Sequence, residues 1–262
     1  MLLSIYNNNA RSVIMDRYLN GLRRIKHRLV NKLKLLQLYP ATSEIKRFQD
    51  DIAQADQFLS LFEIAESQLG IGQIKEEIQS LIEHVQSINP GIIVEIGIQN
   101  GGNCFLFLRS FESCRLVLGV DRKVRNWEKL VYAGRTGQRF FPIEGDSSSP
   151  VVESILRRQL RGKKIDFLFI DGDHSYDGVL RDLTLFFPYV SDGGLIAFHD
   201  IVPDYSYRHG RQTTSCSGEV HLLWNKLKTF FEFKEFIADP DQDGYGIGLI
   251  RKHGPNLPFL DR

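Results

Sequence analysis

Ile92-Ile93-Val94-Glu95-Ile96-Gly97-Ile98-Gln99-Asn100-Gly101-Gly102 is a short apolar run that breaks into glycines just before a helical stretch. Four apolar residues in a run of five predict a strand of a parallel sheet, and glycines at its end let the backbone turn sharply and approach a ligand closely. The spacing differs from the G-x-G-x-x-G of nicotinamide and flavin dinucleotide sites. Working outward, the texture repeats. Strands are expected at 92–96, 115–120, 139–144, 165–170, 194–199, 233–237 and 246–250, with helices near 104–111, 151–159, 178–187 and 220–229. That alternation predicts an α/β fold with a doubly wound, mostly parallel seven-stranded sheet.

The 262 residues, 42% hydrophobic and 25% charged, suffice for one sizeable core plus an appendage, not for two full domains. Residues 69–252 are expected to form the catalytic domain, 1–68 a helical extension and 253–262 a tail. Within the extension, Leu19, Leu22, Ile25, Leu29, Leu33 and Leu36 recur at helical spacing, predicting a helix over 16–38. Residues 1–40 carry eight arginines and lysines against Asp16 alone, so that helix is basic. It suits packing on the domain, contact with a second copy, or peripheral contact with an anionic membrane surface. Further helical regions are expected at 43–69 and 74–87.

The formal net charge of +1 gives no case for a nucleic-acid partner. Three cysteines without CxxC spacing argue against a disulfide framework, and no apolar run is long enough to span a bilayer, so a cytoplasmic protein is expected.

Chemistry-bearing residues gather at the ends of the expected strands, where open α/β sheets bind ligands. Asp121 ends the second strand 24 residues after Gly97 and is placed to accept from ribose hydroxyls. Asp146 follows the third and could accept from an exocyclic amine such as that of adenine, or cap the next helix. The fourth strand runs into Asp171-Gly172-Asp173-His174, and the fifth ends in His199-Asp200. Asp171, His199 and Asp200 could share a cation: carboxylates suit Mg²⁺ or Mn²⁺, and the imidazole tilts the choice toward a transition metal. The stretch 203–218, with Tyr205, Tyr207, Arg208 and Arg211, reads as a long loop able to close over an acceptor.

In this order the motifs carry a resemblance over residues 69–252: Gln73-x-x-Glu76, VEIGIQNGG at 94–102, Asp121, GDSSS at 145–149, IDGDHSYDGVLRD at 170–182, GGLIAFHD at 193–200, Trp224, and GYGIGLI at 244–250. The chain resembles the Rossmann-like (class I) S-adenosylmethionine-dependent methyltransferases, in the group around cephalosporin hydroxylase and the macrolide and sugar O-methyltransferases. The resemblance implies S-adenosylmethionine as cofactor, with Glu95, Gly97 and Gly101 on its methionine part, Asp121 on the ribose, and Asp146 with Ser147 on the adenine. It also implies a divalent metal, Mg²⁺ or Mn²⁺, on Asp171, His199 and Asp200, with Asp171 beside the cofactor. Relatives carry an oxygen ligand where His199 stands.

Methyl transfer from a sulfonium demands in-line alignment and a nucleophilic acceptor, so O-methylation of a sugar or natural-product hydroxyl needs a base. Asp173 and His174 are the candidates. Metal-independent N-methylation and a non-catalytic subunit that keeps the cofactor fold are the alternatives.

Overall fold

A computed structural model describes residues 42–259. The basic helix expected over 16–38 lies outside the described residues.

The chain opens with α1 (Ser43–Gln54), which Thr42 caps by accepting from the Ile45 amide, and α2 (Phe58–Ile64). A single π-helical stretch, Ala65–Leu69, follows. The helical region expected over 43–69 is thus present in pieces, because the chain turns between two faces that bury Phe48 and Ile52 in one piece and Leu61 and Ile64 in the next. α3 (Lys75–Val85) then leads to β1 (Ile92–Ile96).

Alternation follows: α4 (Gly102–Ser110), β2 (Leu116–Asp121), α5 (Trp127–Ala133), β3 (Arg139–Glu144), α6 (Pro150–Leu160), β4 (Ile165–Ile170), α7 (Tyr176–Phe186) and β5 (Val190–His199). The last elements are α8 (Tyr205–His209), α9 (Val220–Leu227), β6 (Phe233–Phe236) and β7 (Ile247–Arg251). The seven strands lie in the order β3-β2-β1-β4-β5-β7-β6, parallel except where β7 runs against both neighbours. The expected doubly wound sheet is thus present. Two elements differ from the expectation. α5 begins after Asn126, which sits in the left-handed region without a side-chain cap, so no start signal marks it. β5 starts at Val190, ahead of its expected start at 194, because Gly193 and Gly194 sit inside the strand rather than before it.

Side-chain alternation splits the core in two. Ile93, Phe167, Phe169, Leu195 and Ala197 face Phe48, Leu61, Ile78 and Phe105 on one side of the sheet. Val94, Ile96, Leu168, Ile170 and Ile196 face Leu156, Val179, Leu183 and Trp224 on the other. Strands buried on both faces place their polar residues at their ends, and here those ends are held level. Gly97 donates to the Val120 carbonyl at 2.8 Å, Asp171 to that of Ile96 at 2.9 Å, and Gly145 to that of Asp121 at 2.8 Å.

Candidate active site

Two cavities open side by side at the carboxyl ends of the parallel strands, separated by Gly97. At φ +84° Gly97 sits in the region that favours glycine, and a Cβ there would lie 1.8 Å from the Asp171 carbonyl oxygen. The first strand therefore turns away at the only residue type that lets it touch the fourth strand's tip.

The first cavity, about 490 Å³, is lined by Gln73, Gly97, Asn103, Asp121, Asp171, His174, His199, Asp200 and Tyr245 among others. Its floor is a cluster of two carboxylates and two imidazoles. His199 Nδ1 lies 3.2 Å from Asp171 Oδ1 and 3.4 Å from Asp200 Oδ2. His174 Nε2 lies 3.5 Å from the same Asp171 oxygen, and its Nδ1 lies 3.4 Å from Asp200 Oδ2 and meets the Cys216 carbonyl. Burial alone would raise Asp171, yet the facing His199 and His174 hold it below the ordinary carboxylate range. His174 is raised to about 9, first by its contact with Asp171. Burial opposes charge on His199, but Asp171 and Asp200 carry it well above the usual imidazole range.

Of the residues expected to hold a metal, the structure brings Asp171, His199 and Asp200 together. It adds His174: ligand atoms of Asp171, His174 and Asp200 all lie within 4.8 Å of one another. The donor set fits a divalent cation, with hard carboxylate oxygens and a borderline imidazole nitrogen converging at the floor of the pocket. Asp200 itself has φ 62°, a strained value that an aspartate tolerates, and the Tyr245 amide donates to its Oδ1 at 3.2 Å.

The candidate bases separate. His174 belongs to this cluster and to the walls of both cavities. Asp173 faces only the second cavity, exposed, with Oδ1 accepting from the Ser175 amide at 3.0 Å and hydroxyl at 2.8 Å. Those bonds hold its pKa down, which weakens it as a proton acceptor.

Glu95 and Gly101 stand behind the cavity wall. Glu95 is buried, its two oxygens accepting from Asn103 Nδ2 at 3.1 Å and Cys104 Sγ at 2.8 Å, and burial raises it to about 8. It pins α4 to the glycine turn. A Cβ on Gly101 would meet Leu130 at 2.6 Å, so that glycine serves helix packing. Asp121 divides the cavities; its Oδ2 accepts from the Gln99 amide at 2.9 Å and its Oδ1 from the Lys123 amide at 2.8 Å.

The second cavity, about 460 Å³, is lined by Gly97, Asp121, Arg122, Asp146, Ser147, Gly172, Asp173, Arg181 and Asp182 among others. Asp146 and Ser147 both reach it, in different conditions. Asp146 is exposed, with Oδ1 accepting from the Ser148 amide and hydroxyl at 2.9 and 2.7 Å, whereas the Ser147 hydroxyl donates to buried Asp182 at 2.5 Å.

Three buried polar atoms of the first cavity's lining residues have no partner: Gln73 Oε1, Asn103 Oδ1 and His199 Nε2. The Gln73 amide donates from Nε2 to Asp171 Oδ2 at 3.1 Å, which turns its oxygen elsewhere. Two orphaned acceptor oxygens close to the glycine turn fit a ligand that carries an ammonium, as an amino-acid-bearing cofactor does.

Glu77 on α3 escaped the sequence reading. Almost wholly buried and, among the described residues, without a cationic partner, it accepts from the Gly246 amide at 3.0 Å, the Ala238 amide at 3.0 Å and Gln242 Nε2 at 2.8 Å. It thereby clamps the loop carrying Tyr245, whose ring stands edge-on to His199 with centroids 5.9 Å apart. The segment expected as a free loop over 203–218 contains α8 and is fastened to that clamped loop. The Tyr205 amide donates to Asp243 Oδ1 at 2.6 Å, Thr213 donates to the same carboxylate, and Arg208 donates to the Gln242 carbonyl. The side of the first cavity lined by Thr214, Ser215, Cys216 and Tyr245 is therefore a fastened wall.

The family described as a methyltransferase domain matches residues 94–201. An uncharacterized protein of Acanthamoeba polyphaga mimivirus is 34% identical over 169 residues, covering 62% of this chain and 73% of that protein. Among solved structures, the O-methyltransferase TomG from Streptomyces achromogenes, involved in tomaymycin synthesis and in complex with S-adenosylmethionine, has a TM-score of 0.54 at 14% identity over 88% of this chain and 98% of its own. MycE methyltransferase from the mycinamycin biosynthetic pathway, in complex with Mg, S-adenosylhomocysteine and mycinamycin VI, has a TM-score of 0.52 at 17% identity over 79% of this chain and 58% of its own. Likeness at these identities establishes the fold. Among the described residues, no helix is long and apolar enough to cross a membrane.

Proposed function

We propose, from the premise that the chain belongs to the class I, Rossmann-like S-adenosylmethionine-dependent methyltransferases, that it methylates a hydroxyl oxygen of a small molecule or glycan beside a divalent cation. The observation that carries this reading is the convergence of Asp171, His174, His199 and Asp200 at the floor of a cavity that begins at Gly97.

Gly97 gives the cofactor room to cross from one cavity to the other, and Asp121, between them, receives its ribose hydroxyls. Gln73 Oε1 and Asn103 Oδ1 face the amino-acid end, and the second cavity, which Ser147 lines, takes the adenine. Bound there, S-adenosylmethionine supplies an electrophilic methyl group on a good leaving group. Asp171, Asp200 and His199 Nδ1 would hold a Mg²⁺ or Mn²⁺, which lowers the pKa of a nearby acceptor hydroxyl.

His174 takes the acceptor proton in this reading. Its raised pKa comes from the two carboxylates beside it, and neutralising them brings the ring back toward the range where it exchanges protons near neutral pH. Tyr245 and the fastened 203–218 segment form the wall against which the acceptor is aligned, so water is kept from the reacting atoms without a closing motion. A glycosylated natural product or sugar suits a wall that offers the ring of Tyr245 beside the polar Thr214 and Ser215.

Calorimetric titration of the purified full-length protein with S-adenosylmethionine, with and without Mn²⁺, tests the assignment alongside Asp121→Ala and Asp171→Asn. The expected result is cofactor binding lost in Asp121→Ala, and Mn²⁺ binding lost in Asp171→Asn. Folded protein that binds no S-adenosylmethionine would overturn the reading. A His174→Gln variant that loses Mn²⁺ binding would make His174 a ligand rather than the base.

A further inference from the structure

Asp182 is a buried carboxylate for which the reaction above finds no use. It projects from α7, is 3% exposed, and yet lines the second cavity. One of its oxygens is committed: Oδ1 accepts the Ser147 hydroxyl at 2.5 Å. The other accepts no hydrogen bond among the described residues. Oδ2 lies 3.0 Å from the place where a Cβ on Gly172 would sit, so it flanks a glycine floor that admits a planar group close to the backbone. Burial pushes Asp182 up to about 6, so it is mostly ionised at neutral pH. Asp182 is thus nearly buried as a residue while its unpartnered oxygen belongs to a cavity-lining side chain, where a ligand's donor can reach it.

The neighbouring acid does not compete well for that role. Asp146 is exposed and has one oxygen taken twice by Ser148, leaving it better suited to shaping its own turn. Arg122 and Arg181 line the same cavity and can cover the faces of a planar base without reading its edge.

We propose that Asp182, oriented by Ser147, is the residue that selects adenine by accepting a hydrogen bond from its exocyclic amine. The assignment rests on S-adenosylmethionine as the cofactor. Its chemistry is specific: a carboxylate welcomes an N–H₂ and rejects a carbonyl oxygen, so replacing the amine by oxygen converts attraction into repulsion between acceptors.

The test compares S-adenosylhomocysteine with S-inosylhomocysteine, in which a carbonyl oxygen replaces the amine, by calorimetry on the full-length protein. The wild type is expected to prefer the adenosyl ligand by at least roughly 30-fold, and Asp182→Asn to narrow that ratio to about threefold, since an amide can donate to the oxygen instead. Asp146→Asn should leave the wild-type ratio in place. Ser147→Ala, which keeps the carboxylate but frees its orientation, should lower the ratio by an intermediate factor and reports even if Asp182→Asn does not fold. An unchanged ratio in a folded Asp182→Asn, or a ratio that collapses in Asp146→Asn, overturns the assignment alone. A wild type that binds neither ligand overturns it together with the methyltransferase reading.

Discussion

The cavities on the two sides of Gly97 are nearly equal in volume and opposite in electrostatic character. In the first, Asp171 and Asp200 each meet imidazole nitrogens from two residues, so charge is balanced within that cluster. In the second, Asp146 and Asp173 bond to the next turn of their own chain, and Arg122 and Arg181 border the space without ion pairing to them at short range. Balanced, crowded charge is what a reacting centre needs, because dipoles already in place do not reorganise during the step. Separated single groups facing a glycine floor are what recognition of a flat ligand needs.

Gly97→Ala should break both halves at once. With its Cβ forced onto the Asp171 carbonyl, S-adenosylhomocysteine affinity is expected to fall by roughly 100-fold or more, read by calorimetry beside a circular dichroism check of the fold. Asp171→Asn should break only the first half. Turnover falls by about 100-fold while S-adenosylhomocysteine affinity stays within about threefold, and a matching loss of both would merge the two cavities into one functional unit.

Glu77→Gln sharpens the comparison from outside. It exchanges one acceptor oxygen for a donor against the 238–246 loop, loosening the Tyr245 amide on Asp200. Turnover is expected to drop about tenfold, with cofactor affinity unchanged. An equal drop in cofactor affinity would show that Glu77 supports the whole fold rather than the first cavity.

Asp182 gives a stability signature confined to the second half. Its folded pKa, about 6, is above the unfolded carboxylate value, so its contribution is full at low pH and is lost as pH rises through about 6. The loss amounts to roughly 2–3 kcal/mol. Asp182→Asn should remove it, so that urea unfolding at pH 8 shows the variant gaining on the wild type relative to pH 4. The smallest effect belongs to Asp173→Ala, expected to leave turnover within about threefold because that side chain faces away from the reacting cluster. A hundredfold loss there would return it to the role of base.

Much of the sheet was legible because strands buried on both faces write themselves as apolar runs, and the acids that end them stand out against that background. Asp121, Asp171, His199 and Asp200 were readable for this reason. Glu77 was not. It lies on a helix whose face carries charge at several positions, and its partner Gly246 is 169 residues away, so no local pattern distinguishes it from Glu76, which is exposed. His174 was legible as a residue but not as a member of the cluster, because its place depends on the Cys216 carbonyl and Asp200, both supplied by later segments. α5 left no mark, since tertiary packing of Trp127 and Leu130 rather than a capping signal makes it a helix.

The reversed strand β7 has a consequence for how such a protein can diversify. Its register sets Ile247 opposite both His199 of β5 and Phe236 of β6, so the hairpin loop over 237–246 hangs beside the parallel strand tips while being anchored in two ladders. Insertions or exchanges there alter the mouth of the first cavity without shifting the strands that carry Asp171 or Asp121. On the proposed function, acceptor choice is therefore held in a cassette separate from the cavities assigned to the methyl donor, and grafting that cassette from one chain to another is a route to new acceptors on an unchanged donor site.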